Sequence, residues 1–247
     1  ASDVYKRQAF LFALLLVAAS GNVAFTDERF LEEIVADERD LKAEGKKMFP
    51  SVKEIDLDAY SGEWFLAYAG SKATNSYLKD LKCIKAQYAP GKKSLFGIFK
   101  EVPIIKLRNA GIGPGGVVKS GEGAAWQFFP KYPGAFVLTM KPQPGQPPIP
   151  PGSYRVLLLG DKNDSDQYEW AVVQGGRSLF VLVRDVEFFR DNLKSTLLSV
   201  LEEKDLNPED LVEVYQEDNC EYDRLFPSEE EPESSMLRGS MEEEEEE

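Results

Sequence analysis

The sequence contains no histidine and only two cysteines in 247 residues. The first absence removes Ser-His-Asp and Cys-His nucleophilic pairs, imidazole metal ligands and acid–base chemistry by an imidazole. The second leaves too few thiols for a Cys₄ or Cys₂His₂ zinc centre. Basic residues are also in the minority, 29 Lys and Arg against 43 Asp and Glu, for a formal charge of −14. That balance argues against nucleic acid as a partner and gives no support for docking on anionic lipid. The acidity is unevenly spread. Residues 228–247 hold ten Glu and one Arg, so the rest of the chain carries a net charge of only −5. With 43% hydrophobic and 11% aromatic residues, that remainder can build a core.

The ends read differently from the middle. The run AFLFALLLVAAS (9–20) follows Lys6 and Arg7. It has the form of a secretory signal and is too short to span a bilayer comfortably, so no transmembrane segment is expected. Small residues at Ala18 and Ser20, or Ala19 and Gly21, fit a cleavage site, which makes 1–24 a signal peptide. Its first eight residues, ASDVYKRQ, read as a non-native leader. A secretory route implies an oxidising environment and a secreted or lumenal protein. Residues 25–51 form a charged extension with apolar positions at roughly helical spacing. Residues 227–247 read as a disordered acidic tail, because they cannot bury enough apolar surface to offset ordering entropy.

Between Leu57 and Val183 the chain is a series of short segments rich in Val, Ile, Phe, Tyr and Leu, cut by Gly, Pro, Asn and Asp. Strands are expected at 63–69, 83–89, 94–102, 116–122, 125–130, 135–140, 153–159, 167–173 and 178–183. Many short strands without alternating helices predict an all-β antiparallel barrel or sandwich. A helix over 187–204 follows, with Phe189, Leu193, Leu197 and Leu201 spaced to pack on a barrel wall, and LVEVY (211–215) adds a short strand. Strict alternation places Trp64, Leu66 and Tyr68 on one side of their strand, and Tyr154, Val156 and Leu158 on one side of theirs. GIGPGG (111–116) reads as a hairpin turn rather than a phosphate loop, since Gly116 is followed by Val117 and not directly by Lys-Ser/Thr, and no helix start follows. PQPGQPPIPP (142–151) reads as a stiff loop between two strands. Asn163-Asp164-Ser165 is an N-glycosylation sequon at Asn163.

Three stretches together resemble the lipocalin family over about residues 52–223. DLDAYSGEW (56–64) is similar to the family's short turn followed by Gly62-x-Trp64. YEWAVVQGGRSLFVLVRD (168–185) is similar to its last hairpin, with Arg184 at the strand end. Cys83, in LKCIKAQY, and Cys220, in EDNCEY, match the cysteine positions of the apolipoprotein D and bacterial outer-membrane branch. The family's Thr-Asp-Tyr is here Gly160-Asp161-Lys162, so only Asp161 carries over.

The resemblance implies an eight-stranded up-and-down barrel over 52–226 with one C-terminal helix. It also implies a Cys83–Cys220 disulfide and Arg184 packed on Trp64 as a structural floor. Function then follows as an expectation: extracellular carriage of a small hydrophobic molecule such as a fatty acid, sterol, retinoid or carotenoid. No cofactor and no catalysis are expected. Candidate lining residues are Leu66, Tyr68, Phe96, Trp126, Phe128, Tyr154 and Trp170. Two alternatives stay open. One is a pigment- or lipid-converting enzyme on the same barrel, as in pigment de-epoxidation, although this chain lacks the Cys-rich part found beside such domains. The other is a protein-interaction scaffold with no ligand. Oligomeric state and ligand identity are unassigned.

Overall fold

β1 (Gly62–Gly70) is the strand that closes the sheet on itself. It pairs antiparallel with β2 (Lys82–Lys93) through residues 62–65 and with β8 (Ser178–Val183) through residues 65–69. Between β2 and β8 run β3 (Val102–Ile112), β4 (Val118–Trp126), β5 (Ala135–Met140), β6 (Gly152–Leu159) and β7 (Trp170–Gly175), each beside its sequence neighbour. The result is an eight-stranded antiparallel up-and-down barrel. The computed structural model describes residues 51–93, 102–127, 132–142, 145, 147, 149, 151–217 and 219–226. The expected signal, nearly all of the charged extension, the acidic tail, Phe96 and Phe128 lie outside these residues.

Two β-bulges shape the wall and overturn simple alternation. In β1 the register slips between Leu66, opposite Leu182, and Tyr68, opposite Val181. In β6 it slips between Val156, opposite Val173, and Leu158, opposite Val172. Each extra residue reverses the inward–outward parity beyond it. Leu66 and Val156 therefore face the interior, while Ala67 with Tyr68 and Leu157 with Leu158 turn outward.

That outward apolar wall explains the helix. Asp185 caps it, its carboxylate accepting from the Phe188 amide at 2.9 Å. α3 (Val186–Phe188), a π turn (Phe189–Leu193) and α4 (Lys194–Glu203) then run on continuously. Apolar residues repeated every four positions drift by about 40° per step on a 3.6-residue helix. The wider π turn takes up that drift and keeps the stripe on the wall. Phe189, Leu197 and Leu201 are buried against Tyr68, Leu157, Val172, Val181 and Val183. Burying each of those three is worth roughly 1.5–3 kcal/mol. The helix ends in a Schellman turn, with the Leu206 amide on the Leu201 carbonyl and the Asp205 amide on that of Glu202. β9 (Leu211–Glu213), inside the strand expected at 211–215, then pairs with β1 at residues 68–70.

The strand boundaries differ from expectation in the β3–β4 region. The strand expected at 94–102 lies, but for Val102, outside the described residues; β3 over 102–112 was not anticipated, and the two segments expected at 116–122 and 125–130 give one described strand, β4. The Gly-rich turn between them is the β3–β4 hairpin, where the Gly113 amide donates to the Val117 carbonyl at 2.8 Å. The segment before β1 contributes too. The Val52 amide donates to the Val156 carbonyl, and Val52, Ile55 and Leu57 pack on the interior cluster from below.

Candidate functional site: the barrel interior

The floor is built first in sequence. Asp56 caps the single turn α1 (Leu57–Tyr60), accepting from the Asp58 and Ala59 amides, so Tyr60 is delivered under the barrel. The chain then turns at Gly62, whose φ of +97° suits glycine. A Cβ there would also stand 2.9 Å from Gln167 Nε2 and 3.2 Å from Arg184 Nη1. Two residues on, Trp64 points inward, and its indole N–H donates to the Tyr60 carbonyl at 2.9 Å.

Arg184 closes this floor. Its guanidinium carbon lies 3.6 Å from the Trp64 ring centroid. It donates to the backbone carbonyls of Tyr168 (3.2 Å), Ala59 (3.1 Å), Ser61 (2.7 Å) and Glu63. Burial pulls the guanidinium pKa down to about 10, with Tyr60, Tyr88 and Glu63 acting the other way, so it stays charged at neutral pH. Tyr168 ties the same end together, its hydroxyl accepting from the Asp56 amide at 3.1 Å.

Above the floor three phenols meet. The Tyr60 and Tyr154 hydroxyl oxygens are 2.5 Å apart, and Tyr154 donates to the Tyr88 hydroxyl at 3.4 Å. Tyr88 stands on β2 and Tyr154 on β6, opposite walls of the ring, so the trio crosses the interior like a beam. Burial pushes all three phenols above their ordinary pKa of 10, and Tyr60 and Tyr154 well above it. They are neutral hydroxyls at any physiological pH. Trp64 and Tyr60 expose nothing, whereas Tyr154 and Tyr88 keep 6% and 8% of their surface open, so the beam marks the top of the sealed floor.

Around and above the beam the inward positions are apolar: Leu66, Ile84, Ala86, Ile105, Leu107, Phe136, Val156 and Leu182. Leu138, Met140 and Phe180 pack against them while remaining partly exposed. Segment 71–81, with α2 (Ser71–Thr74), links β1 to β2 at the opposite end from the floor, and its Leu78 and Leu81 reach the same cluster.

The wall has one seam. β1 and β2 stop pairing beyond Phe65–Lys85, and the C-terminal segment fills the gap. The Val214 amide donates to the Ala67 carbonyl, and the Cys83 amide to that of Tyr215. Buried Gln216 donates from Nε2 to both the Leu66 and Ile84 carbonyls, at 3.0 and 2.8 Å, while its Oε1 accepts from the Tyr222 hydroxyl at 2.6 Å. The Cys83–Cys220 disulfide, with Cα atoms 5.4 Å apart, fastens this strap to β2. A cleft of about 390 Å³ lies beside it on the outer surface, lined by Lys82, Ile112, Glu221 and Arg224 among others, apart from the barrel interior. Among the described residues no group of three His, Cys, Asp or Glu side chains is placed to hold a metal.

Of the expected lining residues, the structure places Leu66 and Tyr154 in the interior cluster. It places Tyr68 and Trp170 elsewhere, packed with the helix on the outer wall. The bulge carries Tyr68 outward, and Trp170 takes the opposite side of β7 from inward Ala171 and Val173. Trp126 pairs with Val137 and Ile104, opposite in parity to inward Ala125, Leu138 and Ile105, so it belongs to the outer face. Asn163 sits half-buried in the β6–β7 loop, its side-chain oxygen accepting from the Ser165 and Gln167 amides. Asp161, next to Lys162, is exposed. Three residues were missed: Tyr60, Tyr88 and Gln216. Tyr88 was accessible to inference, because Ile84, Ala86 and Tyr88 alternate in the stretch quoted for its cysteine. Nothing in the sequence marks Gln216.

No protein-family model and no curated protein matches the sequence. Solved structures do. Lobster apocrustacyanin A1 is similar over 71% of this chain and 94% of its own, at 15% identity and a TM-score of 0.46. Insecticyanin from the tobacco hornworm Manduca sexta is similar over 70% and 87%, at 16% identity and a TM-score of 0.48. The amine-binding protein of Rhodnius prolixus, solved as its tryptamine complex, is similar over 74% and 95%, at 16% identity and a TM-score of 0.44.

Proposed function

We propose that this chain is a lipocalin-type carrier that holds one small, mainly apolar molecule inside the barrel and performs no covalent chemistry on it. The observation that carries the reading is the closed ring of strands with an apolar inward face between a sealed floor and the Leu78–Leu81 end. A cup of eight strands has room for one small ligand, and lipocalins are a standing example of that size. The absence of catalysis is supported by the lack of histidine and by the pairing of both cysteines with each other. The Cys83–Cys220 pairing also supports the apolipoprotein D-like branch and a route through the secretory pathway, with residues 1–24 as signal and Asn163 as a glycan acceptor.

Affinity in this reading comes from buried hydrocarbon, roughly 25 cal/mol per Å² before ordering costs. Titration of the full-length chain and of a chain lacking residues 228–247 with an environment-sensitive fluorescent lipid tests it. Both are expected to bind equally and to be insensitive to moderate salt. Failure of both to bind any of a broad lipid and pigment panel would replace the carrier by a protein-interaction scaffold.

A further inference from the structure

We propose that Asn109, on the inner wall of β3, hydrogen-bonds the ligand's polar group, so that the barrel takes an amphiphile with its hydrocarbon toward the floor and an oxygen-bearing head group above it. This inference rests on the carrier reading and gives that ligand a polarity and an orientation.

The register fixes where Asn109 points. β3 pairs without a slip with β4 from Ile104 to Ile112, and with β2 from Lys85 to Lys93, so alternation holds along it, unlike in β1 and β6. Ile105 and Leu107 lie in the interior cluster, whereas Ala110 and Ile112 lie in an outer cluster with Cys83 and Leu225. Asn109 therefore faces the lumen. Its cross-strand partners are Ala86 on β2 and Gly121 on β4, and Ala86 in turn lies opposite Trp64. That rung starts at the floor and climbs, because the strands of a closed barrel are tilted and staggered. Gly121, at its upper end, is only three residues from the open end of β4 at Val118.

The carboxamide has room and no partner. On its own rung it is flanked by a methyl group and a hydrogen. A Cβ at Gly121 would meet a single atom within 4 Å, Met140 Cε at 3.4 Å. Asn109 is half-buried, and an inward residue shows surface only to the lumen; inward Leu138, Met140 and Phe180 are partly exposed in the same way. No described residue hydrogen-bonds the Asn109 side chain, while the three phenols of the beam are paired with one another. Asparagine is disfavoured in strands, and an unpaired amide on an apolar wall gives the fold nothing. Water satisfies it in the empty barrel, and a ligand group that replaces this water keeps the bond. Nδ2 donates and Oδ1 accepts, which suits a hydroxyl, a carbonyl or a carboxylate oxygen. Lys119 shares the inner face one step nearer the mouth, opposite Gly111, and is exposed. An ammonium in water favours an ionised head group only weakly. Asn109 thus sets the position of the head, and the hydrocarbon below it sets the affinity.

The full-length protein is titrated at neutral pH with all-trans-retinol and with its deoxy analogue, in which CH3 replaces CH2OH. Asn109→Leu should weaken retinol by about 3- to 10-fold and leave the deoxy analogue within about 2-fold or bind it tighter. Asn109→Ala, which adds no bulk to the lumen, should show the same split. Without ligand, Asn109→Leu should unfold at or above the wild-type urea concentration, because the carboxamide holds no part of the fold. Equal weakening of both probes, no weakening of retinol, or a lower unfolding midpoint for Asn109→Leu overturns the proposal. So does a loss of retinol affinity in Lys119→Met that Asn109→Leu does not share. Each of these leaves the carrier reading intact, provided the wild type binds the deoxy analogue. Failure of the wild type to bind either probe or any of the wider panel overturns both.

Discussion

Arg184 lies flat on Trp64, 3.6 Å from guanidinium carbon to ring centroid, and its hydrogen bonds end on backbone carbonyls rather than on a carboxylate. The arginine is therefore a clamp on chain path. It joins the α1 turn, the start of β1 and the β6–β7 loop at one point.

Arg184→Lys should not rescue that clamp. An ammonium has no planar fork to reach carbonyls of three segments and stacks poorly on indole. Both Arg184→Lys and Arg184→Ala are expected to lose about 2–4 kcal/mol, read as a lower midpoint in thermal or urea unfolding. A lysine variant that melts with the wild type would mean that packing alone holds the floor.

Gln216 makes a sharper case for buried polar satisfaction. Replacing it with Leu strands two buried carbonyls, those of Leu66 and Ile84, and removes the acceptor for Tyr222. The expected loss is about 2–4 kcal/mol. Tyr222→Phe removes only one partner and should lose about 1 kcal/mol. If the two variants unfold at the same urea concentration, the seam does not depend on Gln216.

Most of the architecture was legible because strands and the helix obey simple periods. The helix stripe, the late strand and the cysteine pair lay in the residues themselves or in a stretch with a family likeness. The interior was less legible, for a specific reason. A bulge inserts one residue without any compositional mark, so Tyr68 and Leu158 follow the alternation of Trp64 and Tyr154 on paper and face the other way in the barrel. Trp126 and Trp170 were assigned inward for being aromatic, although Ala125 and Ala171 beside them hold the inward positions. β3 carries Pro103 near its start and Gly111 near its end, residue types that weaken the strand pattern in the sequence. In the sheet, Pro103 lies opposite Lys92 and Gly111 leaves room for Ile84.

The disulfide closes a loop of 137 residues in sequence separation and should contribute about 5 kcal/mol in the chain-entropy model. Its local consequence is more diagnostic. Paired Cys83→Ser and Cys220→Ser replacements, or reduction, should release the strap and speed amide exchange at Val214 and Cys83 before the rest of the barrel. Uniform acceleration across all strands would instead show that the strap and barrel unfold as one unit.

The phenol beam makes the alkaline side of the stability curve informative. Tyr60, Tyr88 and Tyr154 have folded pKa values raised above 10, chiefly by burial, and Tyr60 and Tyr154 the most. In the unfolded chain each ionises near its ordinary value. The unfolded state therefore releases protons first as pH rises. The stabilisation these groups give is complete below about pH 10 and is lost progressively above it, down to the point where the folded forms would titrate. Phenolate absorbance in a spectrophotometric titration reports this limb directly. The beam tyrosines should appear only with a cooperative unfolding step that coincides with loss of the far-ultraviolet dichroism of the barrel. Tyr60→Phe or Tyr154→Phe should reduce the steepness of the alkaline limb, since each removes one proton from the difference between states. Smooth ionisation of every tyrosine while the barrel stays folded would show that the three hydroxyls are open to water, and the sealed floor beneath them would have to be redrawn.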